Sequence, residues 1–293
     1  MPFSQRRKDR IMDTAVHLVL FVIMLSMLYP FYYVLILSLN KGTDSLLGGI
    51  YVWPRHVTFE NYAQFLNDPN WYQAFLVTVL RTVTGTVLGV LLTCLVAYGL
   101  SHRDLLLRKL YFTIIIFAMY FSGGLIPYYV VLRALGLLNT FGVYIIPSML
   151  STFFLLIALS FFREIPGELK ESAHLDGANE FVIFCRIILP VSMPLLATMA
   201  LFMGVGQWNS WLDSAYFVQS DGLRTLAFRM MEVINKSNMP LDAVAVANSA
   251  SAGVTSYSLQ VAAMVISVAP IVCVYPFLQK YFIQGIMLGS IKG

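Results

Sequence analysis

The densest run of chemically capable residues lies between Phe162 and Pro194. It begins Phe-Arg-Glu-Ile-Pro-Gly-Glu-Leu-Lys-Glu-Ser-Ala-His-Leu-Asp-Gly-Ala-Asn-Glu-Phe. Pro166 suits a first helical position. Glu168 and Glu171 follow in the first turns, where the helix dipole favours anions. Leu169 and Ala173 are four apart and share a face. Asp176-Gly177 ends the helix, because glycine adopts the left-handed conformation freely. A second amphipathic piece, Phe181 to Ile188, leads to Pro190. The result is a short charged knob with small residues on one face and carboxylates on another. That pattern suits docking into a groove on a soluble partner. It also suits a solvated helix at a membrane surface, the commoner case for an amphipathic loop, and residue types alone leave both open.

Two other groups stand out. Arg81 is the main formal charge inside a long apolar stretch. A charge at such depth faces a cavity or a partner, as an anion contact or an ion pair, unless it snorkels to the interface. Gln207-Trp208-Asn209-Ser210-Trp211 closes another apolar stretch. Amides and aromatic faces can line a sugar path; tryptophans at this depth also form the ordinary interfacial belt. Arg81, Gln207, Trp208, Asn209 and Trp211 are therefore candidate path residues.

Other chemistry is missing. The chain has no Gly-x-x-x-x-Gly-Lys-Ser/Thr, so it carries no phosphate-cradling loop. It has no His-Glu-x-x-His, no Gly-x-Ser-x-Gly and no potassium-filter sequence. His17, His56, His102 and His174 are too scattered to suggest a metal site. Cys94, Cys185 and Cys273 show no metal spacing and read as packing thiols. No catalytic residue and no metal ligand is assigned.

The elements that must position these groups follow from composition. Of 293 residues, 58% are hydrophobic and only 12% charged, about half the share of a soluble domain. Mean hydropathy is +0.75. These figures exclude a soluble enzyme, a disordered chain and a coiled coil. The net charge of +4 is too small and too dispersed for nucleic-acid binding.

Six stretches are long enough to cross a bilayer: about 15–39, 71–99, 110–132, 141–162, 187–212 and 258–280. They predict an all-α, six-span membrane domain over residues 1–293, with the loop at 163–190 between the fourth and fifth spans. The first stretch is too long for a signal peptide and reads as an uncleaved span. With the N-terminus in the cytoplasm, twelve of the nineteen Lys and Arg fall on that side and seven elsewhere. Both termini are therefore expected to be cytoplasmic. Gly85-x-x-x-Gly89 permits close helix packing. Ser122-Gly123-Gly124 and Pro127 interrupt the third span, as a kink or as path lining.

Glu171-Ser172-Ala173, Asp176-Gly177-Ala178 and Ile187 to Pro190 with Pro194 resemble the EAA loop of ABC importer permeases. Ser172 stands where the family often has alanine. The tail from Tyr281 to Gly293 and the early Phe59-Glu60-Asn61-Tyr62 are similar to sugar permeases of the maltose-importer type. Ser122 to Tyr129 and Val274 to Phe282 resemble a subgroup associated with complex oligosaccharides, often plant or algal and including uronic acids. The whole chain is most like the shorter permease subunit of a bacterial alginate-oligosaccharide importer.

The resemblance implies the type I ABC importer permease fold in a bacterial inner membrane. It implies a sister permease, two ATP-binding cassette subunits and an extracytoplasmic solute-binding protein as partners. ATP and magnesium would sit on the ATPase, with no cofactor on this chain. Glu171, Ser172, Ala173, Asp176 and Gly177 would dock the coupling helix. Lys292 and Gly293 would reach the ATPase through the tail. The cargo implied is an oligosaccharide such as one from alginate. Two rival classes remain at this point, an ion-coupled secondary transporter and a membrane-embedded sugar-processing enzyme. The first would usually have acidic residues within the spans, the second carboxylates clustered for chemistry; neither is seen.

Overall fold

The structure, a computed structural model, describes residues 3–102, 104–237 and 254–290. Among them there is no strand, only an isolated antiparallel bridge between Asn40 and Val57. In chain order the helices are α1 (Phe3–Ser38), α2 (Gly42–Ser45), α3 (Glu60–Asn67), α4 (Pro69–Ser101), α5 (Arg108–Tyr120), α6 (Leu125–Ala134) and α7 (Gly142–Ile145). They continue with α8 (Thr152–Glu164), α9 (Gly167–Leu175), α10 (Glu180–Ile183), α11 (Leu189–Val191), α12 (Met193–Asn209), α13 (Leu212–Phe217), α14 (Leu226–Ser237) and α15 (Ser256–Ser290).

Among the described residues, three helices are long and apolar enough to cross a membrane: Met12–Ser38, Pro69–Ser101 and Ser256–Val274. Three bent pairs bring the number to six when each pair is one span. The bends have local causes. Between α5 and α6 the chain turns by 119°, at Gly124 with φ +82°. The third apolar stretch is thus broken and not a straight 110–132 span. Pro147 opens the 3₁₀ turn Ile146–Ser148 between α7 and α8, where the bend is 44°. Before α12, a π-helical turn at Phe184–Ile188 and two prolines without N–H donors, Pro190 and Pro194, precede or flank an 82° bend. The fifth apolar stretch is therefore bent near its start, and α12 is its longest straight piece.

The chain divides into two compact units. One takes in Met1–Asp68 with Glu232–Ala269. Here Ile36, Leu37, Ile50 and Val261 form a small core. The Phe59-Glu60-Asn61-Tyr62 segment fastens the end of α1. Asn61, fully buried, donates from Nδ2 to the carbonyls of Ser38 at 2.8 Å and Asn40 at 2.9 Å. The Tyr62 and Ser38 hydroxyls share a hydrogen bond. Carbonyls left over at the helix end thereby gain donors. In the following loop the Asn40 amide, and after it Arg55, hold the Asp44 carboxyl below its ordinary range.

The other unit takes in Pro69–Met231 with Pro270–Gly293. Its axis is α4, about 50 Å long. Ala74, Val77, Thr78, Arg81, Gly85, Gly89, Thr93, Ala97 and Tyr98 are buried along it, a stripe spaced by three and four. Most of these side chains are small, so α8 and α12 approach closely. A Cβ on Gly85 would lie 2.9 Å from the Gln207 side chain, and one on Gly89 would lie 2.5 Å from Met203 Cε. Opposite, a Cβ on Gly204 would lie 3.4 Å from Thr86 Oγ1. Nearer the other end of α4, Cys94, Ala97 and Tyr98 join Leu155, Leu159, Phe162, Ile183, Ile188 and Met199 in the main core. Cys94 is fully buried there, whereas Cys185 and Cys273 are exposed.

Gly99, on the same helix, has nothing within 4 Å of a built Cβ. Gly89→Leu should therefore lower the thermal midpoint of the purified protein, through an overpacking cost of about 1–3 kcal/mol. Gly99→Leu should leave the midpoint unchanged or raise it.

Candidate functional site

The loop after α8 folds as a helix because each end is closed locally. Pro166 is the N-cap of α9, one position earlier than its sequence suggests. At the other end the Ala178 N–H donates to the Ala173 carbonyl and the Gly177 N–H to the His174 carbonyl, both at 3.0 Å. Gly177 sits at φ +80°. This paired closure consumes the last carbonyls and turns the chain sharply. Asn179 then caps α10, its Oδ1 accepting the Val182 N–H at 2.9 Å.

α9 has two faces. Glu171, Ser172, Asp176 and Gly177 lie on the exposed side. Leu175 joins them and is 90% exposed. An apolar side chain bared to that degree at the tip of a charged knob was not singled out by residue type. Ala173 points the other way. It is buried in the main core with residues of α4, α8 and α12. Its small side chain seats the helix on the spans, while its neighbours face outward.

Beneath α9 a carboxylate gathers groups from three elements. Glu180, at the start of α10, accepts from the Tyr98 hydroxyl. Its Oε2 lies 3.3 Å from His102 Nε2, and its Oε1 lies 3.2 Å from His174 Nε2. Lys170 Nζ stands 5.1 Å over the Tyr98 ring. The Tyr98 hydrogen bond and then the two histidines hold the Glu180 carboxyl below its ordinary range, against the effect of burial. Burial also lowers Lys170, with Glu180 opposing. Histidines 72 positions apart in sequence thus meet at one carboxylate.

Toward the other end of α4, Arg81 is 2% exposed. Its guanidinium is committed on every side. Nε donates to Gln207 Oε1 at 2.8 Å, Nη1 to the Ser210 carbonyl at 3.0 Å, and Nη2 to Asp213. The cation also stands 4.5 Å over the Tyr144 ring. Ser210 Oγ donates to Asp213 at 3.0 Å, and Gln207 Nε2 donates to Ser148 Oγ at 2.7 Å. Two of the candidate path residues, Arg81 and Gln207, therefore belong to one polar network. Trp208 is buried edge-on to Phe75 at 6.1 Å. Asn209 is exposed and Trp211 half-buried, and neither is placed against Arg81. Asp213 is the partner that a lone intramembrane arginine demands. Its signal in the sequence is its place as the first carboxylate after the fifth apolar stretch.

No group of three or more potential metal ligands occurs among the described residues. Lys292 and Gly293 lie outside the described residues.

Residues 85–287 match the binding-protein-dependent transport system inner membrane component family. The chain belongs to that family. Among similar proteins, the polygalacturonan/rhamnogalacturonan transport system permease protein YtcP of Bacillus subtilis is 32% identical over 286 residues, covering 98% of this chain and 100% of that protein. Protein LplC of the same organism is 35% identical over 264 residues, covering 90% and 89%. A solved structure described as a bacterial ABC transporter involved in the import of the acidic polysaccharide alginate superposes with a TM-score of 0.85. It is 26% identical and covers 94% of this chain and 98% of that one.

The permease is thus a multi-pass protein of a bacterial inner membrane with the type I ABC importer fold. It is a non-catalytic subunit of a sugar importer, and ATP hydrolysis belongs to a partner polypeptide. A secondary transporter and a membrane enzyme are both set aside by this membership. Such a permease works with a partner permease, an ATPase and a binding protein.

Arg81→Met strands Asp213 and Gln207. It should cost about 3 kcal/mol of stability, the lower end for stripping one partner from a buried pair because the Asp213 side chain is 30% exposed. Asp213→Asn should cost less. In a double-mutant cycle read by chemical denaturation, the two losses should fall short of additivity by about 1–3 kcal/mol. Strict additivity would show that the pair is not coupled.

Proposed function

We propose that this permease carries an acidic oligosaccharide across the membrane, driven by separate ATPase subunits through the loop at Glu171–Gly177. The observation that supports the coupling role most is the division of α9 into two faces. Ala173 anchors one face in the core of the spans. The other offers Glu171, Ser172, Leu175 and Asp176 to a partner. A knob built in this way transmits a push, because displacing its outer face displaces the packed side chains behind it.

Gly177 sets the sharp exit of the chain with a backbone conformation that L residues rarely adopt. Leu175 supplies an apolar contact that water alone does not explain. Both termini lie in the cytoplasm on this reading, with α9 on the same side.

An acidic cargo is supported by the names of two relatives. One is a transport system for polygalacturonan and rhamnogalacturonan, the other an importer of the acidic polysaccharide alginate. Both names denote polymers that contain uronic acids. Arg81 does not contribute a free positive charge to this preference, since Asp213 and Gln207 occupy its donors. The cargo is expected to meet the Asn209 and Trp211 end of α12, together with the sister permease. Full transport needs that sister permease, two ATPase subunits and a sugar-loaded binding protein.

Asp176→Lys and Gly177→Pro test the coupling role in the assembled importer. Each should leave the permease in the membrane, strip the ATPase subunits on purification, and abolish uptake. Retained assembly with normal uptake would refute it. For the cargo, uronic-acid oligomers presented on their binding protein should stimulate ATP hydrolysis, while neutral oligomers of equal length should not. Equal stimulation by both would count against an acidic cargo.

A further inference from the structure

We propose that Glu180 is a positioning residue that ties the coupling helix to α4, so that motion of α9 becomes motion of the span. This rests on the coupling role given to α9 above and adds the link behind it. Three elements meet at the one carboxylate. His174 reaches it from the last turn of α9, Tyr98 from α4, and His102 from the residue just past the end of α4. Lys170, also on α9, covers the Tyr98 ring from above. Tyr98 is itself buried at 4% exposure and packs on Phe162 and Phe184. The hydroxyl therefore cannot follow a moving carboxylate without moving the helix that carries it.

The link differs in kind from the apolar contacts around it. Ala173 seats α9 by contact alone, which resists compression but slides and separates easily. A carboxylate shared by a phenol and two imidazoles resists separation and fixes direction. It holds in both strokes of a cycle, when the ATPase pushes and when it withdraws. Its reach is long, because Tyr98 and Arg81 are on one helix about 26 Å apart. At Arg81 the helix is fastened again, to Gln207 and Asp213. A rigid rod pinned at both ends by polar contacts carries displacement from one side of the bilayer to the other.

The groups that face Glu180 are Tyr98, His102 and His174, with Lys170 next in line. Glu180 itself is half exposed at its side chain, so replacing it opens no cavity in the core.

The test uses the whole importer in proteoliposomes: both permeases, the ATPase subunits and the sugar-loaded binding protein. Sugar moved per ATP hydrolysed is measured, alongside the amount of ATPase retained on purification. Glu180→Ala should keep the ATPase subunits bound while sugar moved per ATP falls by about ten-fold, a size usual for coupled sites. Glu180→Gln, which still accepts from Tyr98, should lie between Glu180→Ala and the native protein. A merely structural role would lower the yield of assembled complex and leave the ratio unchanged, and that result would overturn the proposal. Loss of the ATPase subunits would overturn it too, by making Glu180 a docking residue. Should Glu180→Ala fail to fold, the His102→Asn/His174→Asn pair decides: a lowered ratio supports the link, and a native ratio refutes it. Asp176→Lys keeps the two readings apart, since it tests docking irrespective of Glu180.

Discussion

An arginine that has left water must find its counter-charge and its acceptors inside the protein, and Arg81 finds all of them in one short stretch. Gln207, Ser210 and Asp213 lie at or just beyond the end of α12, so satisfying the guanidinium fixes α12 against α4. The same requirement shapes what surrounds it. Gly85 is a glycine because the Gln207 side chain lies where a Cβ would stand. Tyr144 is buried beneath the cation. Thr78 accepts the Leu226 N–H at 2.8 Å, and the Ser214 hydroxyl accepts the Thr225 N–H. The polypeptide after α12 is thereby stitched back to α4. A buried pair of this kind adds little net stability compared with apolar packing, but it admits few alternative arrangements.

With α4 held at that end, the other end determines what the helix can do. There the contacts are an apolar core and, at its edge, the carboxylate of Glu180. The permease holds no nucleotide motor, so whatever moves it must arrive through a surface. On the coupling role proposed for it, α9 supplies that surface, and its inner face continues into the same core as Cys94, Ala97 and Tyr98. The route from the exposed tip to the deep arginine is a single helix with few joints. The apolar stretches between Arg108 and Asn209 bend, at Gly124, between Ser148 and Thr152, and at Ser192, whereas α4 runs unbroken.

Much of this is legible in the sequence. Hydropathy alone located six apolar stretches, since lipid forces their backbone into helices. Gly85 and Gly89 could be recognised as packing positions because their spacing puts both on one face. Gly177 could be recognised as a turn because Asp-Gly follows an amphipathic run. What sequence could not yield was direction and partnership. Leu169 and Ala173 share a face by spacing, yet Ala173 is buried and Leu169 exposed, which depends on where the spans lie. Arg81 announced that it needed a partner, while the choice of Asp213 over any other carboxylate depended on how the chain returns after α12. His102 and His174 looked unrelated because 72 residues separate them; the turn at Gly177 brings Glu180 back between them. Ser122-Gly123-Gly124 and Pro127 mark an interruption of the third span, and only backbone geometry shows how sharply it turns.

On the coupling proposed above, force reaches this permease from another polypeptide. The most direct measurement is uptake of a uronic-acid oligosaccharide into liposomes holding the permease pair, with the other components added singly. No uptake is expected from the pair alone, none with an ion gradient, and none with ATP until the ATPase subunits and the loaded binding protein are both present. Uptake by the pair alone, whether passive or driven by an ion gradient, would contradict it.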